Sequence, residues 1–181
     1  MQGRTVKSSQ TTITELMIPS FANFGGKVHG GILLSLMDKV AYVVASKHSG
    51  TYCVTVSVDG VEFKEPVEVG DLVSLAASIN FVGNSSMIIG IRVTSLQPKT
   101  GEVKHTNSSY FTMVAKDDEG NLQKVPPLIL EEEIEVRRFC DSKKLRALRF
   151  EINDVLNKET KGLSIQQMKD MISENRCEID F

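Results

Sequence analysis

The sequence predicts an α+β fold, a curved antiparallel β-sheet wrapped around one long central α-helix, with a helical extension behind it. Three observations carry that prediction. From Ile32 to Val44 apolar side chains recur at helical spacing over a wide arc. After residue 51 the chain reads as β almost continuously to about residue 115, broken only by short turn-rich separators. Beyond Pro126-Pro127 the pattern turns charged and helical. Short separators leave no room for crossover helices, so the strands should pair antiparallel. One apolar helix followed by four long strands implies a sheet curled around that helix, not a doubly wound one.

Each element can be justified in turn. Residues 11–18 hold Ile13, Met17 and threonines, a β-prone run that Pro19 ends. The helix carries Leu33, Leu36, Met37, Val40, Ala41 and Val44, with Lys47 and His48 suited to its last turn and Gly50 to its cap. Residues 52–64 alternate Val54, Val56 and Val58 with threonine and serine; Asp59-Gly60 interrupts them as either a bulge or a turn. Further strands are expected over residues 72–82, 87–96 and 103–115. The tail should hold one helix to about Phe139, a second over 143–157, and a third over 165–175 capped by Ser164. Two parts follow: residues 1–127 as the main domain and 128–181 as a charged helical extension.

The 181 residues are 41% hydrophobic and 24% charged, as in a soluble globular chain with a core of its own. A net charge of −2 argues against a global grip on nucleic acid. No apolar run suits a membrane span, and the first residues do not resemble a secretory signal. Cys53, Cys140 and Cys177 are odd in number and widely spaced, giving neither a disulfide framework nor a metal site. The expectation is a reduced, cytoplasmic protein.

Three familiar kinds of chemistry are missing. His29, His48 and His105 lack ligand spacing, so no metal is expected. The paired glycines match neither nucleotide-binding fingerprint. No serine sits in a GxSxG elbow. What stands out is Asp38, a carboxylate inside the most apolar helix. Asp38 either falls on a narrow solvent-facing stripe or is buried, with a raised pKa and a function; its helical neighbours Leu34, Ser35, Ala41 and Tyr42 form no charged face, which favours the functional reading. Asn23 in its glycine-rich loop is either a turn-former or a functional amide. The entry His29-Gly30-Gly31 brings bare N–H groups to a positive helix end, suited either to an oxyanion or simply to close packing.

The run Asn23-Phe24-Gly25-Gly26-Lys27-Val28-His29-Gly30-Gly31, with Asp38 seven residues on, resembles the hot-dog-fold acyl-CoA thioesterases. The block from Val58 to Pro66 followed by Val69-Gly70-Asp71, and the turn Gly83-Asn84-Ser85-Ser86, are similar to later blocks of that family. The resemblance covers residues 13–127 and is nearest to the YciA-type and brain-type acyl-CoA hydrolases, while His-Gly-Gly is more like the small phenylacetate-type thioesterases. It implies a hot-dog fold acting on acyl-CoA in lipid metabolism, with coenzyme A part of the substrate and no separate cofactor. It also implies a homo-oligomer: a dimer joined edge to edge with shared active sites, assembled as a trimer of dimers, hence a hexamer. Pairing would also remove an exposed β-edge.

Carried over by position, Asp38 would be general base or nucleophile and Asn23 would come from the opposite protomer. Gly30 and Gly31, beside His29, would offer the oxyanion N–H. Thr55 and Ser57 are candidate polar helpers, one of which could face the other side of the sheet. Asn84, Ser85 and Ser86 would meet the pantetheine or diphosphate, unless they form a plain hairpin turn. Basic residues between Arg137 and Arg149 either reach nucleotide phosphates or form a solvated helix face. Two rivals are weighed. An acyl-CoA hydratase would need a histidine partner for its aspartate, in an order absent here. A non-catalytic acyl-CoA sensor would need neither Asn23 nor Asp38.

Overall fold

A computed structural model describes residues 1–181, apart from the side chains of Asn157, Glu159 and Thr160. In chain order the elements are β1 (Arg4–Thr5), α1 (Val6–Ser9), β2 (Thr11–Leu16), a 3-10 turn (Pro19–Phe21), α2 (Gly30–Ser49) and β3 (Tyr52–Asp59). They continue with β4 (Leu72–Val82), β5 (Ser86–Leu96), β6 (Val103–Lys116), β7 (Leu128–Ile129), α3 (Glu133–Lys161) and α4 (Ile165–Met171).

The main sheet has the order β2-β4-β5-β6-β3, antiparallel throughout. α2 lies across its inner face and touches all five strands. The helix buries Leu33, Leu36, Met37, Val40, Ala41, Val44, Ala45 and His48, a stripe that alternates three and one residues apart. That stripe meets Leu75, Ala77, Ile79, Ile89, Ile91, Val93, Phe111, Met113 and Ala115 of the central strands in one core. Gly50 ends the helix in the left-handed region (φ 78°), and its N–H bonds Ser46 at 2.8 Å. Arg4 then donates to the last carbonyls, of Lys47 at 2.7 Å and His48 at 2.8 Å.

Three extra residues bend the sheet: Val56 in β3, Asn80 in β4 and Thr106 in β6 each break the register of their ladder. The strand expected over 52–64 therefore bulges at Val56, not at Asp59-Gly60. It stops at Asp59, where Gly60 takes φ 67°, and the chain leaves the ladder. β3 forms one edge of the sheet, with Tyr52, Val56 and Val58 exposed.

The first compact unit runs Met1–Ser142, past the 127/128 boundary that the sequence suggests. The start of α3 belongs to it because Phe139 packs against Phe81 of β4 in a tilted pair, with centroids 4.9 Å apart, and Ser142 is buried. The two helices expected around residues 131–157 are a single helix, Glu133–Lys161. Nothing between Phe139 and Lys143 breaks it: Cys140, Asp141 and Ser142 are neither glycine nor proline. The second unit, Lys143–Phe181, ends in α4, which is shorter than expected but carries the Ser164–Gln167 capping box. On it Leu148, Ile152, Val155 and Leu156 are exposed. Among the described residues no helix is long and apolar enough to cross a membrane.

Candidate active site

Asp38 sits on the exposed stripe of α2, with Leu34, Ser35, Lys39 and Tyr42, and not in the core. That corrects the expectation of a buried carboxylate. The helix is apolar over the arc that meets the sheet, and Asp38 falls beyond it. It is nonetheless held: Thr55 of β3 donates its hydroxyl to Asp38 Oδ1 at 2.5 Å, and Met113 Sδ lies 3.1 Å from the same hydroxyl. One carboxylate oxygen is therefore oriented by the strand.

Asp38 and Thr55 form one end of an open groove of about 530 Å³ between α2 and β3. Lys39, Tyr42, Val43, Tyr52 and Val54 also line it, and the two tyrosine rings stand 6.2 Å apart. These wall residues were not anticipated. Tyr42 was within reach, since it follows Asp38 by one helical turn; Tyr52 and Met113 depend on register across β3 and β6. Cys53 also lines the groove, but burial pushes its thiol pKa up, which keeps it protonated and a poor nucleophile.

The bulge at Val56 puts the two hydroxyl candidates on different faces of the sheet. In an unbroken strand Thr55 and Ser57 would share a face. Here Thr55 is opposite Met113 on the helix side, and Ser57 is opposite Thr112 on the outer side. Thr55 reaches Asp38 and Ser57 does not.

The helix entry is built by side-chain capping. His29 Nδ1 accepts the Gly31 N–H at 2.8 Å, and the His29 carbonyl takes the Ile32 N–H at 2.9 Å. This engages Gly31 and, among the described residues, leaves the Gly30 N–H as an open donor at the positive end of α2. Both glycines are required locally. A Cβ on Gly31 would lie 2.9 Å from His29 Nδ1, and one on Gly30 would lie 3.2 Å from the Phe63 ring.

Asn23 occupies the exposed loop between the bridge pair Ala22 and Val28. Its Oδ1 accepts from Gly25 N at 2.9 Å and Lys27 N at 3.2 Å, which fixes the amide of this exposed residue. Within one chain no hydrogen bond joins Asn23 to Asp38 among the described residues. The turn at Asn84, Ser85 and Ser86 is held by backbone: Asn84 and Ser85 carbonyls accept from Val125 and Ala115, and Ser86 accepts from Gly83. Ser86 and Val54 both register on Val114, so the turn lies two strands, roughly 10 Å, from the Thr55 end of β3.

Among the described residues no histidine is hydrogen-bonded to Asp38: His29 caps α2, His48 bonds the Pro126 carbonyl at 3.0 Å, and His105 bonds Ser108 at 2.9 Å.

Residues 25–102 match the family model described as the thioesterase superfamily. The chain is 44% identical to protein VdlD of Helicobacter pylori over 145 residues, 80% of this chain and 83% of that protein. The chain belongs to the thioesterase superfamily. A further superfamily relative, 33% identical over 74% of this chain and 77% of its own length, is the uncharacterized acyl-CoA thioester hydrolase YkhA of Bacillus subtilis. Among solved structures, an apo-hexameric acyl-CoA thioesterase superposes with a TM-score of 0.81 at 33% identity, covering 84% of this chain and 98% of that one. The Staphylococcus aureus acyl-CoA hydrolase bound to butyryl coenzyme A and coenzyme A gives 0.76 at 28% identity, over 87% and 95%. The fold is therefore the hot-dog thioesterase fold. Variants of the S. aureus enzyme replace an asparagine, an aspartate and a threonine by alanine, at positions fifteen and then seventeen residues apart. Asn23, Asp38 and Thr55 have that spacing.

Proposed function

We propose that this chain hydrolyses acyl-coenzyme A thioesters to free acid and coenzyme A. The observation that carries the reading is the Thr55–Asp38 hydrogen bond at the end of a groove walled by Tyr42, Val43, Tyr52 and Val54. Such a groove offers apolar surface to an acyl chain and a carboxylate where its thioester would end. With Oδ1 held by Thr55, Oδ2 is the oxygen that acts. As general base it takes a proton from water as the hydroxide oxygen adds to the thioester carbonyl. The Gly30 N–H faces the oxyanion that forms. The C–S bond then breaks and the thiolate takes up the proton, leaving acid and coenzyme A.

β3 is both a wall of the groove and a free edge of the sheet, and we infer that a second copy pairs there, covering Tyr52, Val56 and Val58. The partner's Asn23, its amide already fixed, then orients the carbonyl or the water. Three such dimers would make a hexamer, and the structural relative is described as hexameric. The Asn84–Ser86 turn receives the pantetheine, and its side chains, which make no hydrogen bond among the described residues, suit that role.

The test is release of free thiol from a panel of acyl-CoAs of increasing chain length. Steady thiol release supports hydrolysis. Tight binding without thiol would mark a sensor, and hydration of an enoyl-CoA without thiol would mark a hydratase.

A further inference from the structure

Val69, Gly70 and Asp71 do not line the groove, yet Asp71 is a carboxylate only 5% exposed. Burying such a group is costly unless donors replace its water. Its Oδ2 accepts the Ser95 hydroxyl at 2.6 Å and the Glu68 N–H at 3.2 Å, and its Oδ1 accepts the Gln97 amide at 3.0 Å. Ser95 lies at the end of β5 and Gln97 just beyond it. Asp71 thus ties the turn of residues 67–70 to the end of β5. Gly70 closes that turn at φ 95°, and the Asp71 N–H returns to the Glu68 carbonyl at 3.2 Å.

The Asn23 loop is fastened to this turn. Lys27 and Glu68 pair as a backbone bridge and again through an ion pair of their side chains, and the Val28 N–H donates to the Val67 carbonyl at 2.9 Å. Lys27 in turn grips Asn23 twice. Its carbonyl accepts the Asn23 N–H at 2.6 Å, and its own N–H donates to Asn23 Oδ1 at 3.2 Å. Residues 22–27 are exposed, so these bonds, and not core packing, set where the Asn23 amide stands.

Resting on the hydrolysis reading above, we propose that Lys27, Glu68 and Asp71 are positioning residues for that reaction, a continuous set of contacts that fixes the Asn23 amide relative to the sheet. A reacting or orienting group displaced by about 1 Å can cost on the order of a hundredfold in rate. A half-exposed ion pair adds little to stability. Loosening the Lys27–Glu68 pair therefore shows in turnover and not in the melting of the fold.

The experiment measures thiol release from acyl-CoA by the full chain in four forms: wild type, Asn23→Ala, Glu68→Gln and the two substitutions together. Glu68→Gln should lower kcat by about threefold or more, with KM and Tm unchanged. On the low residual rate of Asn23→Ala it should have no further effect, because the group it positions is gone. Lys27→Glu and Glu68→Lys should each lower kcat, and combining them should restore it with the charges exchanged. Asp71→Asn turns one acceptor oxygen into a donor and should lower kcat further than Glu68→Gln; its Tm need not hold, since the group is buried. Deuterium exchange of the peptide covering residues 22–28 reads the same contacts without turnover and should quicken in Glu68→Gln. An unchanged kcat in Glu68→Gln, unchanged exchange, or a loss that multiplies that of Asn23→Ala overturns the proposal alone. No thiol from wild type, or full activity in Asn23→Ala, overturns the hydrolysis reading and this proposal with it.

Discussion

Thr55 on β3 donates its hydroxyl to Asp38 on α2 at 2.5 Å, so the edge strand of the sheet sets the orientation of the helix carboxylate. The bond reaches across the groove wall and holds one oxygen while the other stays open. If that orientation serves chemistry, removing the hydroxyl should cost rate more than stability. Thr55→Val keeps the β-branched shape and should lower kcat by about tenfold to a hundredfold, with little change in KM. Asp38→Asn should lower kcat by about two to four orders of magnitude with the fold intact. Equal kcat in Thr55→Val and wild type would reduce the bond to a packing detail.

The two helix-entry glycines should separate by effect. Gly31→Ala pushes a methyl against His29 Nδ1 and breaks the cap, costing about 1 kcal/mol of stability in urea unfolding. His29→Ala should cost a similar amount. Gly30→Ala meets the half-exposed Phe63 ring and crowds the open N–H, so its loss should appear in kcat. A large rate loss for His29→Ala at unchanged stability would make the imidazole a reacting group instead of a cap.

Acid should weaken the fold through His48. Burial pushes its imidazole pKa down, the Pro126 carbonyl pulls the other way, and Arg4 adds to the lowering. A folded value below the unfolded one means the neutral ring's contribution is present above about pH 6.5. That contribution is lost progressively as pH falls below it. Tm should therefore drop between pH 7 and pH 5, and His48→Gln should show a shallower drop over the same range.

The start of α3 should be part of the folding unit. Truncation after Ser142 should leave a cooperative core, whereas truncation after Leu130 uncovers Phe81 and lowers its stability. Phe139→Ala should cost about 1–2 kcal/mol. Identical denaturant midpoints for the two truncations would contradict this.

Much of the fold was legible because α2 and the long strands repeat at their own periods over many residues. Asp38 was legible as a charge in an apolar run, although its exposure was not: the width of the buried arc depends on how the sheet meets the helix. Bulges at Val56, Asn80 and Thr106 leave little local trace, since register is a property of paired strands, and so Ser57 could not be separated from Thr55. The strands Arg4–Thr5 and Leu128–Ile129 are too short to carry a period. His29 as an N-cap was hidden because serine, threonine, aspartate and asparagine are the usual residues there.

The most direct measurement of the central claim mixes two inactive proteins, Asn23→Ala and Asp38→Asn, under conditions of proven subunit exchange. If each site takes Asp38 from one chain and Asn23 from its partner, half the exchanged dimers are hybrids with one intact site each. Thiol release from acyl-CoA should then return to about a quarter of the wild-type rate. No recovery after exchange would contradict the shared site and place both residues within one chain.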